Sequence, residues 1–288
     1  MRITAPKISF QDDSRGVSEV VGFLLIFAIL VILLSINQAQ FVPQENREVE
    51  FQHFQDVQDD MVDVRSAIST AGQTNVSQYP TVRLGTNYPT RLFAVNPPPP
   101  TGTLRTSQSY NISIYEPGNP DPQNVSTQFL EYQNGYNELD VGSIWYENSV
   151  LYLDETSNDG NIAVIEDQNL LTGNNDPVRI TALQKNYSQS STNRVAIEFY
   201  PAENPDIDID ELEGPVTITI PTRLNKTYWN SELGGYSAYN QNEFETNPNN
   251  VNFLQLTVNL DSLAFNTVGI NSNPDDETSA KRGPGDTK

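Results

Sequence analysis

The chain has 288 residues, no Cys and a single His, with 16 Lys+Arg against 37 Asp+Glu and a formal net charge of −21. Without Cys there are no disulfides, thiolate metal sites or Cys nucleophiles, and any Ser-His-Asp triad would have to be built on His53. So large an acid excess removes the basic face that a nucleic-acid backbone requires, so nucleic acid is not an expected partner.

Residues 1–16 carry Arg2, Lys7 and Arg15 against Asp12 and Asp13, a net +1. Residues 17–40 hold one charge, Glu19. From Phe41 onward 13 basic residues face 34 acidic ones, a net −21, and the acids are scattered rather than blocked. Such a body repels itself in dilute salt, whereas in molar salt the screening length falls to about 3 Å and the hydrated carboxylates keep it soluble. The pattern reads as a halophile's surface, with an ordinary acidic secreted protein as the alternative.

The stretch VSEVVGFLLIFAILVILLSI, Val17–Ile36, has 20 residues, enough at 1.5 Å per residue to cross about 30 Å of hydrocarbon. Downstream, SINQAQFVPQ matches a small-residue signal cleavage site poorly. That leaves a plain membrane anchor or a segment processed at its upstream end. Three basic residues precede the span and only Arg47 follows it closely, so the positive-inside rule places the N-terminus in the cytoplasm and the acidic body outside.

Arg15-Gly16 stands directly before the apolar run, and RGVSEVVGFLLIFAILVILLS resembles the class III signal of archaeal type IV pilins and archaellins, in the haloarchaeal form R-G/A-V-S-P-V-I-G. Arg15, Gly16, Val17, Ser18, Val20 and Gly22 fall in register, while Glu19 occupies the position where Pro is common. The resemblance covers about 22 residues. It implies a prepilin peptidase as partner, a cut after Gly16, a mature chain beginning at Val17, and Glu19 as an assembly residue that pairs with the new amine in a bundle of pilin subunits.

Pro43 predicts a kink or short break just beyond the span. After it Phe54, Val57, Met61, Val64 and Ile68 recur at spacings of three and four, an amphipathic neck helix that Gly72 would stop. Its apolar face fits the chain's own β-domain, the alternative being a coiled-coil or partner helix.

Beyond residue 80 the period becomes two. RLFAV (91–95), YNISIY (110–115), SIWYENSVLYL (143–153), NIAVI (161–165), VRITAL (178–183), RVAIEFY (194–200), VTITIP (216–221) and VNFLQLTVNL (251–260) read as strands between Pro-, Gly- and Asn-rich turns. KTYWNSELGGYS predicts a helical turn, and from Asn266 the polar sequence predicts a disordered tail. The fold class is α+β, a long N-terminal helix followed by an antiparallel all-β sandwich. The expected organisation is a leader (1–16), transmembrane helix (17–40), neck (41–72), extracellular β-sandwich (80–265) and tail (266–288). FLEYQNGYNELDVGSIWYENSVLYLDE with IPTRLNKTYWNSEL also resembles the outer region of uncharacterised haloarchaeal pilin-like proteins. The matching residues are Glu131, Tyr132, Ile144, Tyr146, Glu147, Asn148, Pro221, Thr222 and Trp229.

No nucleophile elbow or phosphate-binding Gly loop occurs, and His53 reads as a helix-surface or interface residue. Asp206, Asp208 and Asp210 imitate the opening of a calcium loop, but its sixth and twelfth positions are Glu211 and Thr217. On a strand these acids would share one face, and a solvated acidic edge is the simpler account. Asn75, Asn111, Asn124, Asn186 and Asn225 head glycosylation sequons; an Asn-, Ser- and Thr-rich chain gives about as many by chance. The expectation is therefore a non-enzymatic surface subunit with no catalytic residue, cofactor or metal, whose partners are membrane lipid, the peptidase and further copies or other pilin subunits. The alternative is a non-polymerising single-pass protein whose outer β-domain binds a ligand or partner.

Overall fold

One helix runs from the apolar segment into the body. In the computed structural model, which describes residues 14–156, 161–174, 176–247 and 251–285, α1 spans Ser14–Ile36 and α2 spans Val42–Thr74. A π-helical turn, Asn37–Phe41, joins them without leaving helical dihedrals. Pro43 explains it. Proline has no N–H and its ring crowds the carbonyl four residues back. The helix responds one residue early: the Val42 N–H reaches back five residues to the Asn37 carbonyl, and Pro43 falls in the first turn of α2, where no donor is missed. The predicted break is a change of pitch in a continuous helix.

The neck stripe is buried as its spacing predicts: Val57, Met61, Val64 and Ile68 are fully covered and Phe54 nearly so. Gly72 is not the stop. A Cβ there would lie 3.0 Å from the Asn266 Cβ and 3.2 Å from the Thr181 Cγ2, so glycine serves close packing. The helix ends at Asn75, left-handed at φ 57°, whose N–H bonds the Ala71 carbonyl.

Fifteen strands follow among the described residues. They are β1 Thr81–Arg83, β2 Gly102–Thr106, β3 Tyr110–Tyr115, β4 Gln123–Thr127, β5 Leu130–Gln133, β6 Ser143–Glu147, β7 Val150–Asp154 and β8 Ile162–Glu166. Then come β9 Val178–Gln184, β10 Ser188–Ser191, β11 Arg194–Ala196, β12 Phe199–Pro201, β13 Pro215–Thr222, β14 Asn252–Asn259 and β15 Leu263–Ile270, with the short helix α3, Lys226–Leu233, after β13. A six-stranded sheet runs β10-β2-β5-β6-β7-β8, a three-stranded sheet β12-β15-β9 and a four-stranded sheet β14-β13-β3-β4, while β1 pairs with β11.

Side-chain alternation resolves these sheets into layers. Ile144, Tyr146 and Leu151 of β6 and β7 join the cluster around α2, whereas Trp145, Val150 and Tyr152 point the other way, into the cluster of the four-stranded sheet. In β15, Leu263 and Phe265 face that sheet while Val268 and Ile270 face the helix cluster. The body is thus a sandwich of sheets with α2 as a third layer on its outer face.

Three expectations need correcting. RLFAV (91–95) is not a strand: Pro89 and Pro97–Pro100 hem it in, and it lies in a strandless loop with Leu92, Phe93 and Val95 exposed. The tail expected from Asn266 begins instead as the second half of β15, buried on both faces, which hides the alternation that would reveal it. Beyond Ile270 it continues through a 3₁₀ turn, Asp276–Thr278, to the buried Ser279, Ala280 and Arg282, and residues 286–288 lie outside the described residues. Third, β15 pairs with β9 in parallel, so the sandwich is not antiparallel throughout. Strand β15 is central to its sheet and Val268 has no exposure. Val268→Asp should therefore destabilise the body by about 3 kcal/mol or more, read as a lowered thermal midpoint and rapid proteolysis; a dispensable tail would leave both unchanged.

Candidate functional site

The notable geometry lies where the apolar helix enters the body. From Ser18 to Phe41 every residue but the half-buried Gly22 is exposed, Glu19 included. Residues Ser18–Thr74 form one helix whose N-terminal part is long and apolar enough to cross a membrane. Arg15, Gly16 and Val17 fall in the first turn of α1, where only the backbone is described, and residues 1–13 lie outside the described residues.

Below Phe54, toward the N-terminal end of the neck, the phase of the apolar stripe continues mostly in polar residues. Val42, Asn46, Glu50 and His53 are buried at steps of three and four. Glu50 has no exposure; its carboxylate accepts N–H bonds from Asn137 (2.8 Å), Glu138 (2.9 Å) and Leu139 (2.7 Å), and the Tyr88 hydroxyl donates to it. Burial and this acceptor together push the Tyr88 hydroxyl far above its ordinary range. One turn lower, the Arg91 guanidinium bonds Glu45 (2.9 Å), Asn46 (2.9 Å) and Asn96. At the π-helical turn, the Gln38 amide donates to the Val95 carbonyl (2.8 Å) and accepts from the Val95 N–H (2.9 Å). Further up the helix, Asp60 takes the Arg83 guanidinium and its N–H, and Arg65 donates to the Ser149 and Asp167 carbonyls.

His53 is buried, 6% exposed, rather than a surface residue, with Nδ1 2.7 Å from the Tyr136 hydroxyl. Burial pulls its pKa below the ordinary value; Asp56 and Asp60 oppose this and Arg83 assists it. The imidazole is therefore neutral in the folded protein when an unfolded chain would already protonate, below about pH 6.5. Stability from this site is complete above that pH and is lost as pH falls toward the folded pKa. His53→Gln should remove this component, so the thermal midpoint of the wild type should fall by a few degrees relative to the variant between pH 7.5 and 5. Parallel curves would show that His53 does not titrate in that window.

A second buried acid ties the layers of the body together. Glu147, 1% exposed at the end of β6, accepts from the Thr222 hydroxyl (2.5 Å) and the N–H groups of Arg223 (2.9 Å) and Leu224 (3.3 Å). Burial raises its pKa while these donors hold it down. The Trp229 indole donates to Thr222 (3.0 Å), and the Asn148 amide to the Pro221 carbonyl (2.7 Å). The YEN, IPT and Trp positions noted in the sequence thus meet in one knot.

Asp206, Asp208 and Asp210 do not share a strand face. Asp208 caps a 3₁₀ turn, Ile209–Glu211, and Asp210 pairs with Arg282. Among the described residues no group of three or more His, Asp or Glu is placed to hold a metal ion. Asn75, Asn111, Asn124, Asn186 and Asn225 are all exposed, and Asn225 also caps α3 through Oδ1.

No protein-family model and no solved structure matches the chain. A protein of Archaeoglobus fulgidus, described only as an uncharacterized protein, is 32% identical over 93 residues, which is 32% of this chain and 16% of that protein. The chain therefore spans about a sixth of the length of that relative.

Proposed function

We propose that this chain is a membrane-anchored, pilin-like structural subunit of the surface of a halophilic archaeon, with its N-terminus in the cytoplasm, its body outside, and no catalytic role. The observation that carries this reading is the bare apolar helix, exposed from Ser18 to Phe41 and continuous with a neck sealed into the β-body. A helix of that kind needs a cover of lipid before assembly and of neighbouring helices after it, and its continuity transmits the body's orientation to the bundle. The Arg15-Gly16 junction supplies the processing step, the basic N-terminal flank sets the topology, and the archaeal relative agrees with the source.

Cleavage after Gly16 would place the Val17 amine beside Glu19 of its own or a neighbouring chain. In a water-poor bundle that pair fixes register, and breaking it leaves a buried charge at a cost of about 3–5 kcal/mol. N-terminal sequencing of the mature protein should then begin at Val17. Glu19→Gln should remain processed and membrane-bound yet be missing from sheared surface filaments. Intact Met1 on all membrane protein removes the pilin reading, and normal recovery of the variant in filaments removes the role of Glu19.

A non-polymerising single-pass protein is the second reading, favoured by the exposed apolar loop beside the outer end of the span. Wild-type protein absent from every sheared fraction would select it. The halophilic part has its own test. The thermal midpoint of the detergent-solubilised chain should rise between dilute and molar KCl as self-repulsion is screened; a flat or falling midpoint removes that attribution.

A further inference from the structure

The loop between β1 and β2 runs for 18 residues, 84–101, without regular structure, a length that usually signals function. Its tip is the most exposed apolar surface of the body: Leu92 is 88% exposed, Phe93 77% and Val95 77%. These side chains do not point away from the rest of the protein. Leu92, Phe93 and Ala94 line an open groove of about 540 Å³ together with Leu30, Leu33 and Leu34 of α1, and Asn37, Glu45 and Arg91 give it a polar end. Leu30 lies six residues before Ile36, the last residue of the apolar run, about 9 Å down the helix axis. Any bilayer that covers α1 to its apolar end therefore meets the loop tip.

We propose that residues 91–96 form a second membrane element, which inserts Leu92, Phe93 and Val95 into the leaflet on the body's side and lets lipid acyl chains fill the groove against α1. The inference rests on the membrane-anchored part of the proposed function and is independent of filament assembly.

Hydrogen bonding supports this occupant at the Val95 end of the segment. Non-helical backbone is tolerated at membrane depth only where its polar groups are met by protein. Both backbone groups of Val95 are met by the single side chain of Gln38. The Asn96 amide donates to the Pro89 carbonyl at 2.8 Å, and Pro97–Pro100 bring no N–H to satisfy. The Arg91 charge sits at the upper edge, held by Glu45 and Asn46 of the neck, on the body side of Gln38. A loop built only for water would need neither the clamp nor three adjacent bulky apolar side chains on open display.

The absence of Cys makes the test direct. The full chain carrying Phe93→Cys, Leu30→Cys or Val164→Cys would be labelled with an environment-sensitive fluorophore and reconstituted at high lipid-to-protein ratio into phosphatidylcholine vesicles. Quenching by spin-labelled lipid would be compared with quenching by aqueous iodide. Val164, on β8, is the exposed reference on the body. The expected result is several-fold stronger lipid quenching at positions 93 and 30 than at 164, with iodide in the reverse order, and loss of the protection at 93 on adding Gln38→Ala. Iodide access at 93 equal to that at 164, with position 30 still lipid-quenched, would overturn the loop insertion and leave the anchor intact. Protection at 93 from both quenchers, relieved by dilution in lipid, would replace it with a contact between copies. A label at position 30 that lipid does not quench would overturn the anchored reading and the loop proposal together.

Discussion

A single unbroken helix is bare and apolar along its N-terminal part and sealed into the β-body beyond it, and the body is organised around the place where one part gives way to the other. From Ser18 to Phe41 no side chain of the helix is buried; from Val42 to Gly72 one stripe is sealed under the sheets. The boundary is held by Glu50, a carboxylate without exposure that three consecutive backbone N–H groups approach within 2.9 Å. A buried carboxylate is tolerable only when its lone pairs are met. The geometry therefore works in both directions: residues 137–139 satisfy the acid, and the acid fixes that loop and Tyr88 against the neck. Tyr88 in turn leads to Arg91 and Gln38, so the loop that reaches the apolar end of the helix hangs from the same point.

Because α2 is a layer of the body rather than a stalk beneath it, its apolar stripe and its polar stripe do different work. Phe54, Val57, Met61, Val64 and Ile68 bury area against the central sheets, which is non-directional. Asn46, Glu50, His53 and Asp60, in the same phase, fix the rotation and axial position of the helix, because hydrogen bonds fail outside a narrow range of distance and angle. The π-helical turn keeps this positioning connected to the span despite Pro43. A flexible break at that point would have uncoupled the orientation of the body from that of the apolar helix.

What was legible in the sequence follows the same division. The apolar neck stripe and strands such as β3, β9, β13 and β14 announce themselves because one set of alternating or helically spaced positions is apolar. The polar half of the neck stripe does not, since Asn46, Glu50 and Asp60 read as solvated until the N–H groups that face them are known; the continuing step of four from Phe54 to Glu50, Asn46 and Val42 was the available signal. Strand β15 escaped because both of its faces are buried and Asn266 and Thr267 interrupt it. RLFAV misled for the opposite reason: its apolar side chains have no partner within the body, and only the helix beside them gives their composition a physical reason.

Of the four buried carboxylates among the described residues, Asp60 and Glu131 pair with Arg83 and Arg105, and the other two bear on how so acidic a chain holds together. With 16 Lys+Arg against 37 Asp+Glu, there are too few cations to pair every acid, and Arg223, whose backbone N–H meets Glu147, directs its guanidinium to Asp154 and over the Trp145 ring. Glu50 and Glu147 are instead met by backbone N–H groups and hydroxyls. Such bonds act at contact distance inside the protein, where salt screens little. The self-repulsion of the exposed acids acts over the Debye length and fades in molar salt. The chain therefore separates two electrostatic problems: the Glu50 and Glu147 locks are short-range and little screened, while the repulsion among surface acids is long-range and sensitive to salt. The YEN, IPT and Trp residues follow from this arrangement, because an acid at position 147 on the central layer is tolerable only with Thr222 and the turn after it, on the outer layer, presented to receive it.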